Sequence, residues 1–417
     1  MSTPAIKEIR ESWKTPIVMG SIAAVILVFF GLLGKSEDVS FELTGPREPI
    51  QLPSIDVPSN LLGTISGVIL LAIAGYVAWL VYRNIKASIW FSMLFGAIGL
   101  IALLGWLAGG ASVPVAFILG SALVLAVPIV LGAMAGVMSE RVGVVNIAIE
   151  GQLLTGAFMA SVVSTLTNNQ ILGIISAMIT AALFSAVLAV FAVRFLAQQI
   201  IVGVVLNVLA IGITNFLYQQ WVTEDESATN SPGTLPIINI PFLGDIPIIG
   251  PVLFQNRITV FLAIAIVVVL WFVLFKTRLG LRARAVGENP LAADTVGINV
   301  AKTRFWWVTL GGLLAGLGGA ALTIGSSGSF GREMSGGLGF IALAVVILGR
   351  WHPGYATAAA LLFGFSIILR VWANQVSPGI PTNFITMVPY IVTLIAVVGF
   401  VGRSRPPAAD GIPYVKG

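Results

Sequence analysis

The sequence predicts an all-α polytopic membrane protein of about twelve spans. Three observations carry that expectation. Mean hydropathy is +1.01. Only 9% of the 417 residues are charged, where a soluble domain carries roughly 25%. Apolar runs of the ~20 residues needed to cross a bilayer recur along the whole chain. The composition also excludes. With no cysteine and one histidine, His352, neither a disulfide framework, a cysteine nucleophile nor a thiolate or histidine metal centre is expected. The net charge of +5 is distributed as a topology signal and not as a nucleic-acid surface.

Candidate spans lie near 16–34, 61–81, 89–110, 112–137, 144–165, 171–193, 199–221, 257–275, 306–325, 337–349, 355–373 and 384–402. The first follows Lys7, Arg10 and Lys14 as a signal peptide would. Its apolar core is too long for one, and charged residues stand where a cleavage site belongs, so it reads as an uncleaved span. Basic residues then fix the orientation. Arg83, Lys86, Arg141, Arg194, the 276–305 connection, Arg350, Arg403 and Arg405 all fall on the side of the N-terminus. The opposite side receives 35–60, with five acidic and two basic residues, and the acidic, proline-rich 223–256. Both termini are therefore expected inside. The tenth run is the short member: twelve helical residues rise only ~18 Å against a ~30 Å core. Such a segment is either tilted into its glycine-rich flanks or a half-helix buried among neighbours. Gly143–Gly151 and Gly337–Val345 are weakly alike and enter from opposite sides, as an inverted repeat would.

The connection 276–305 holds six basic and two acidic residues between two strongly apolar runs. Two spans need only a short turn between them, so its length reads as a docking surface. Asn289 is a good N-cap, Pro290 suits the first helical position and Gly297 suits the C′ site. The resulting helix, Pro290–Val296, is expected to present the small Ala292 and Ala293 to a partner. The plainer alternative is a surface helix with no partner.

Three polar groups stand in or near the fifth span: Asn146, Glu150 and Gln152. A carboxylate at the bilayer centre costs ~2.5–3.5 kcal/mol on insertion scales, so Glu150 should face a bundle interior or water. It is either a pathway group or a structural partner of Arg141 or a nearby amide. Asn207 and Asn215 are eight residues apart and project within ~80° of each other on a helix. They either line a polar path or bond neighbouring helices. Arg332 and Glu333 read as an outer-loop pair, and His352 as a structural group in an inner turn. Gly311, Gly312, Gly316, Gly318 and Gly319 are helix-packing residues. Gly34, Lys35 and Ser36 end like a nucleotide-binding loop, but Phe29 stands where its leading glycine belongs, and no strand precedes it.

Residues 140–151, 284–298 and 339–353 together resemble the permease subunits of bacterial ABC importers. The likeness is to the branched-chain amino acid and ribose permease superfamily, and within it to nucleoside or simple-sugar permeases served by binding lipoproteins. It extends over about 89–402. It implies a type II importer fold with inverted repeats in 89–402. The chain departs from that family in 1–88, an extension with two extra spans and an acidic outer loop, and 403–417 is expected as a cytoplasmic tail. The resemblance further implies that 276–305 docks a cytoplasmic ATPase through Gly287, Glu288, Asn289, Pro290, Ala292, Ala293 and Gly297. No cofactor is implied on this chain, ATP and magnesium being held by the partner. A second permease subunit, as homo- or heterodimer, and an extracellular binding lipoprotein complete the implied assembly in a bacterial cytoplasmic membrane. Asn146, Glu150 and Asn207 become candidates for the substrate pathway. The competing expectation is a proton-coupled secondary transporter using Glu150. A membrane enzyme is disfavoured by the lack of cysteines, of a histidine cluster and of paired intramembrane carboxylates.

Overall fold

The computed structural model describes residues 12–416 apart from 35, 47, 49, 377–386 and 388–404. Among the described residues, ten helices are long and apolar enough to cross a membrane. They coincide with ten of the expected runs, and the tenth run is the short helix Leu338–Leu348. The run at 384–402 lies outside the described residues but for Met387. The chain is an all-α polytopic membrane protein. Its contacts divide it into two compact units: 1–118 with 245–248 and 369–388, and 119–244 with 249–368 and 389–417.

In the first unit, α1 (Lys14–Val25) continues as a π-helix, Ile26–Leu32, and packs on α2 (Ser59–Tyr82). Two glycines four residues apart make that packing close. A Cβ on Gly63 would lie 2.3 Å from the Phe30 carbonyl oxygen, and one on Gly67 would lie 2.7 Å from the Leu27 Cα. The helix α3 (Ile89–Leu107), grouped by sequence with the later spans, packs here against α2 and the π-helix. The acidic segment 35–60, expected as a loop, supplies β1 (Asp38–Glu42) and β2 (Ile55–Pro58). β1 pairs antiparallel with β2 and parallel with β3 (Ser112–Pro114), Val39 facing Val57 and Phe41 facing Val113 in register.

The second unit begins within α4 (Val115–Glu140), which carries Pro128, and continues through α5 (Ile149–Thr167), α6 (Gln170–Val193) and α7 (Gln199–Leu217). Between α5 and α6, Asn168 is left-handed and the Asn169 side chain caps α6 by accepting from the Ile171 and Leu172 amides. A single turn, α8 (Glu226–Thr229), and the strands β4 (Ile237–Asn239) and β5 (Gln255–Arg257), paired antiparallel, precede α9 (Ile258–Lys276). After α9 come two short helices, α10 (Arg278–Glu288) and α11 (Pro290–Thr295), and then α12 (Val300–Leu322), α13 (Leu338–Leu348) and α14 (Pro353–Val376), whose residues 369–376 are grouped with the first unit.

The centre of this unit is α5 with α12, whose most apolar stretches are 78% and 72% buried against 22–33% for the spans of the first unit. The glycines of α12 explain the approach. Cβ atoms on Gly316 and Gly319 would come within 2.3 Å of the Ala177 and Leu153 carbonyl oxygens. The backbones of α6 and α5 occupy the space that side chains would need. Ser185 adds a hydrogen bond across α6 and α12, its hydroxyl donating to the Val308 carbonyl at 2.6 Å.

Candidate functional site

Two regions of the second unit answer the sequence expectations. The first is the connection at 276–305, which is nearly all helix. Thr277 is extended and its hydroxyl oxygen accepts from the Gly280 amide at 3.3 Å, starting α10. Gly280 lets the chain double back, because a Cβ there would meet the Val273 carbonyl at 2.1 Å. Along α10, Gly280, Ala283, Val286 and Gly287 are buried while Leu279 and Leu281 are about 60% exposed. That spacing of three and four is a helix face, a signal present in the sequence of the connection.

The N-cap is as expected: the Asn289 Oδ1 accepts from the Ala292 amide at 3.1 Å, with Pro290 at the first helical position. Gly297 has φ +83° and terminates the turn. The helix ends at Thr295, and Val296 is its C-cap. One expectation is corrected. Ala292 is exposed, but Ala293 is 2% exposed and lies in one apolar cluster with Val142, Val144, Ala283, Val286 and Val300. Adjacent helical residues point about 100° apart, so both alanines cannot face one partner. The outward groups are Ala292, Leu291 and Val296, the last two 65% and 75% exposed. Gly287 is the contact with the membrane part, since a Cβ there would lie 2.2 Å from the Arg141 carbonyl oxygen. Glu288 is exposed, and its Oε2 accepts from the Ala408 amide at 3.3 Å.

The second region is the break between α4 and α5. Residues 141–148 leave the helix, with Gly143 at φ +82°. Buried side chains satisfy the freed backbone. The Val145 amide donates to the Gln199 Oε1 at 2.8 Å. Asn207 clamps the start of α5: its Oδ1 accepts from the Gly151 amide and its Nδ2 donates to the Ile147 carbonyl, each at 2.8 Å. Asn146 and Gln152 form a reciprocal amide pair at 3.3 Å in both directions.

Glu150 fastens α5 to α13. Its Oε1 accepts from the Ser335 hydroxyl at 2.7 Å and the Gly337 amide at 2.8 Å, and its Oε2 from the Gly339 amide at 2.6 Å. The carboxyl group thus caps the N-terminus of α13, where amides point outward and the helix dipole is positive. Gly339 is required there, because a Cβ would lie 2.4 Å from the Glu150 Cα. At its far end α13 is held by the Trp351 indole, which donates to Glu140, and by the Arg141 Nε, which donates to the Trp351 carbonyl at 2.9 Å. Eleven residues span about 16 Å, so Glu150 lies that far from the Arg141 end, near half the thickness of a bilayer core.

Asn146, Glu150 and Asn207 are 0%, 5% and 4% exposed. In this conformation they brace the break. Asn215 is not with them: its Nδ2 donates to the Glu333 Oε1 at 3.2 Å. Arg332 and Glu333 do not pair with each other; Arg332 sits 5.0 Å from the Tyr218 ring. His352 accepts from the Gly354 amide at 3.2 Å and lies between Phe275 and Tyr355. Burial first, then the Arg141 charge, hold its pKa below the usual value. A separate groove of about 720 Å³ opens beside the α5–α6 turn, with Ile171, Ile174, Leu235, Ile258 and Leu262 among its walls.

Residues 118–397 match the family model described as branched-chain amino acid transport system / permease component; α1, α2, α3 and the three-stranded sheet precede that match. The chain is similar to the guanosine ABC transporter permease protein NupQ of Bacillus subtilis, 43% identical over 310 residues, 72% of this chain and 97% of that protein. It is 41% identical to the nucleoside ABC transporter permease protein NupC of Lactococcus lactis over 310 residues, 72% of this chain and 96% of that protein. The putative glucose ABC transporter permease protein TsgC13 of Haloferax volcanii is 36% identical over 256 residues, 61% of this chain and 77% of that protein. No solved structure matches the chain.

Proposed function

The chain belongs to the family of permease components of branched-chain amino acid transport systems, and from that premise we propose that it is the nucleoside-translocating permease of an ATP-driven importer. The observation that carries the substrate is the near-complete coverage of two relatives named for guanosine and nucleoside transport. Hydrolysis of ATP with magnesium belongs to a separate ATPase subunit seated on α10 and α11. A second permease subunit, the same chain or a related one, completes the membrane part, and an extracellular binding lipoprotein delivers the nucleoside. The protein spans a bacterial cytoplasmic membrane with both termini inside, which puts α10 and α11 in reach of a cytoplasmic ATPase.

The contacts give the reading a mechanism. A partner pressing on Leu291, Ala292 and Val296 moves a helix whose Ala293 is buried in the apolar cluster that also holds Val142 and Val144. Gly287 bears directly on Arg141. Motion therefore enters the 141–148 break, and through Glu150 it reaches the N-terminus of α13. On this reading α5 and α13 are the corresponding members of an inverted repeat, meeting at mid-membrane, and Asn146, Glu150 and Asn207 shape the pathway when the junction opens. The proton-coupled alternative is not favoured: both Glu150 oxygens already accept hydrogen bonds, and protonation would turn one into a donor facing a donor.

The test is uptake of labelled guanosine in cells lacking other nucleoside carriers, with the chain co-expressed with its ATPase, its second permease subunit and its binding lipoprotein. Uptake should stop on ATP depletion, survive a protonophore and be competed by nucleosides rather than by glucose. Competition by glucose alone would move the substrate to sugars, and loss with the protonophore at constant ATP would sink the ATP-driven reading.

A further inference from the structure

The family match ends at residue 397, and residues 405–416 lie beyond it. Residues 405–416 return to the second unit and touch two places at once. On one side they meet α10 and α11. The Ala409 amide donates to the Gly287 carbonyl at 2.8 Å, satisfying an acceptor at the end of α10 that the helix itself leaves open. The Ala408 amide donates to Glu288, and Lys416 pairs with Asp294 at 3.7 Å. On the other side they meet the foot of α5 and the start of α12. Gly143 has no room for a Cβ because the Ala409 carbonyl oxygen would lie 2.7 Å from it, and Val145 lies against Gly411. Arg304, 2% exposed on α12, donates from Nη1 to the Ile412 carbonyl at 2.9 Å. Pro406 and Asp410 close one wall of a cleft whose other wall holds Glu140, Val145 and Trp351.

Two features separate this segment from an incidental tail. Pro407 and Ala409 are buried, and Tyr414 packs on the cluster that holds Ala293 and Val142. Arg304 is a buried cation whose Nη1 is hydrogen-bonded to the segment, so removing the segment would strand a charge.

We propose that residues 405–416 are a coupling strap, which binds α10 and α11 to the 140–145 turn so that both move as one piece during transport. The proposal rests on the reading of α10 and α11 as the ATPase-docking element. The strap acts through those contacts and touches no substrate, so Ala409, Asp410 and Ile412 are positioning residues. Without it, Gly287 still bears on Arg141 and Ala293 still shares an apolar cluster with Val142 and Val144, but a glycine contact and one small side chain let the pushed helix slip.

Two arms test this. The first ends the chain after residue 404 and measures ATPase co-purification, ATP hydrolysis and guanosine uptake. The strap predicts that the ATPase stays bound within about twofold and hydrolysis persists, while uptake falls at least tenfold. Uptake within twofold of the full chain would overturn it. The second arm keeps the whole chain and so reads the strap even where truncation blocks membrane insertion. The sequence has no cysteine, so Asp294→Cys with Lys416→Cys creates a unique pair, which a short bismaleimide joins. Parts that move together tolerate the link, and uptake should stay within twofold of the unlinked double variant; uptake abolished by the link means that the strap must release, which overturns the proposal. If no ATPase associates with the unmodified full-length chain, the docking reading itself fails and the strap's coupling role falls with it.

Discussion

The helices α11 and α13 are both short, and they are capped in opposite ways. Asn289 caps α11 from the residue before it. Glu150 caps α13 from 187 residues away, on another helix. A locally capped helix carries its bonds with it and can be displaced as a unit at little cost. A remotely capped helix is fastened to its neighbour, so any separation of α5 from α13 must break three hydrogen bonds to one carboxyl group. The first arrangement suits an element that is pushed, and the second suits a junction with two discrete states.

Glu150→Ala should have the largest effect. It leaves the Gly337 and Gly339 amides and the Ser335 hydroxyl unsatisfied inside the protein, at about 3 kcal/mol or more. Thermal unfolding in detergent should shift down clearly and uptake should be lost. Glu150→Gln keeps one acceptor and should be intermediate. A Glu150→Ala protein as stable as the original would erase the distinction between the two caps. Next comes Asn207→Leu, close in size but without the bonds to Gly151 and Ile147, at about 2 kcal/mol. It too should lower stability and uptake together.

The surface helix should behave differently. Asn289→Ala removes one cap and should cost about 1 kcal/mol, while Leu291→Asp alters an exposed position and should change stability by no more than about 0.5 kcal/mol. Both should weaken co-purification of the ATPase, Leu291→Asp the more. Unchanged association in Leu291→Asp would mean that the exposed apolar face of α11 is not where the partner sits.

The same contrast explains what the sequence made readable. Apolar run length reflects bilayer thickness, so the spans through α12 and the shortness of α13 were legible from composition alone. The α11 cap was legible because Asn289, Pro290 and Gly297 act within one turn. Residues that act across the fold left no local mark. Glu150 looks identical whether it lines a pathway or caps a helix, and only the approach of Gly339 decides. The pair Ala292–Ala293 carries no mark of which member faces outward until the helix phase is known. The strongly basic exposed face of α10 masks its helix, although Gly280, Ala283, Val286 and Gly287 mark its buried face. In 405–416, prolines and small residues hide contacts made by backbone atoms.

The smallest expected effect is a pH dependence of the strap, and it tests whether the surface element is tied as loosely as its local cap implies. Burial pushes the Asp410 pKa up to about 7, against the opposing pull of the Gly411 amide and the Arg304 charge. Arg304 faces it from α12 and Glu140 from α4. A detached strap exposes the carboxyl group, whose ordinary value is 3.8. The attached form therefore binds more protons between about pH 4 and 7, so attachment weakens as pH rises through that window and levels off above it. From pH 6 to pH 8 the attachment constant should fall by about tenfold at most. Hydrogen exchange at the Ala409 amide, corrected for intrinsic rate, reads this directly, and Asp410→Asn should flatten the response. A flat response in the unmodified protein would place the hold of the strap in the Gly287 and Ile412 hydrogen bonds alone, making it as permanent a joint as the one between α5 and α13.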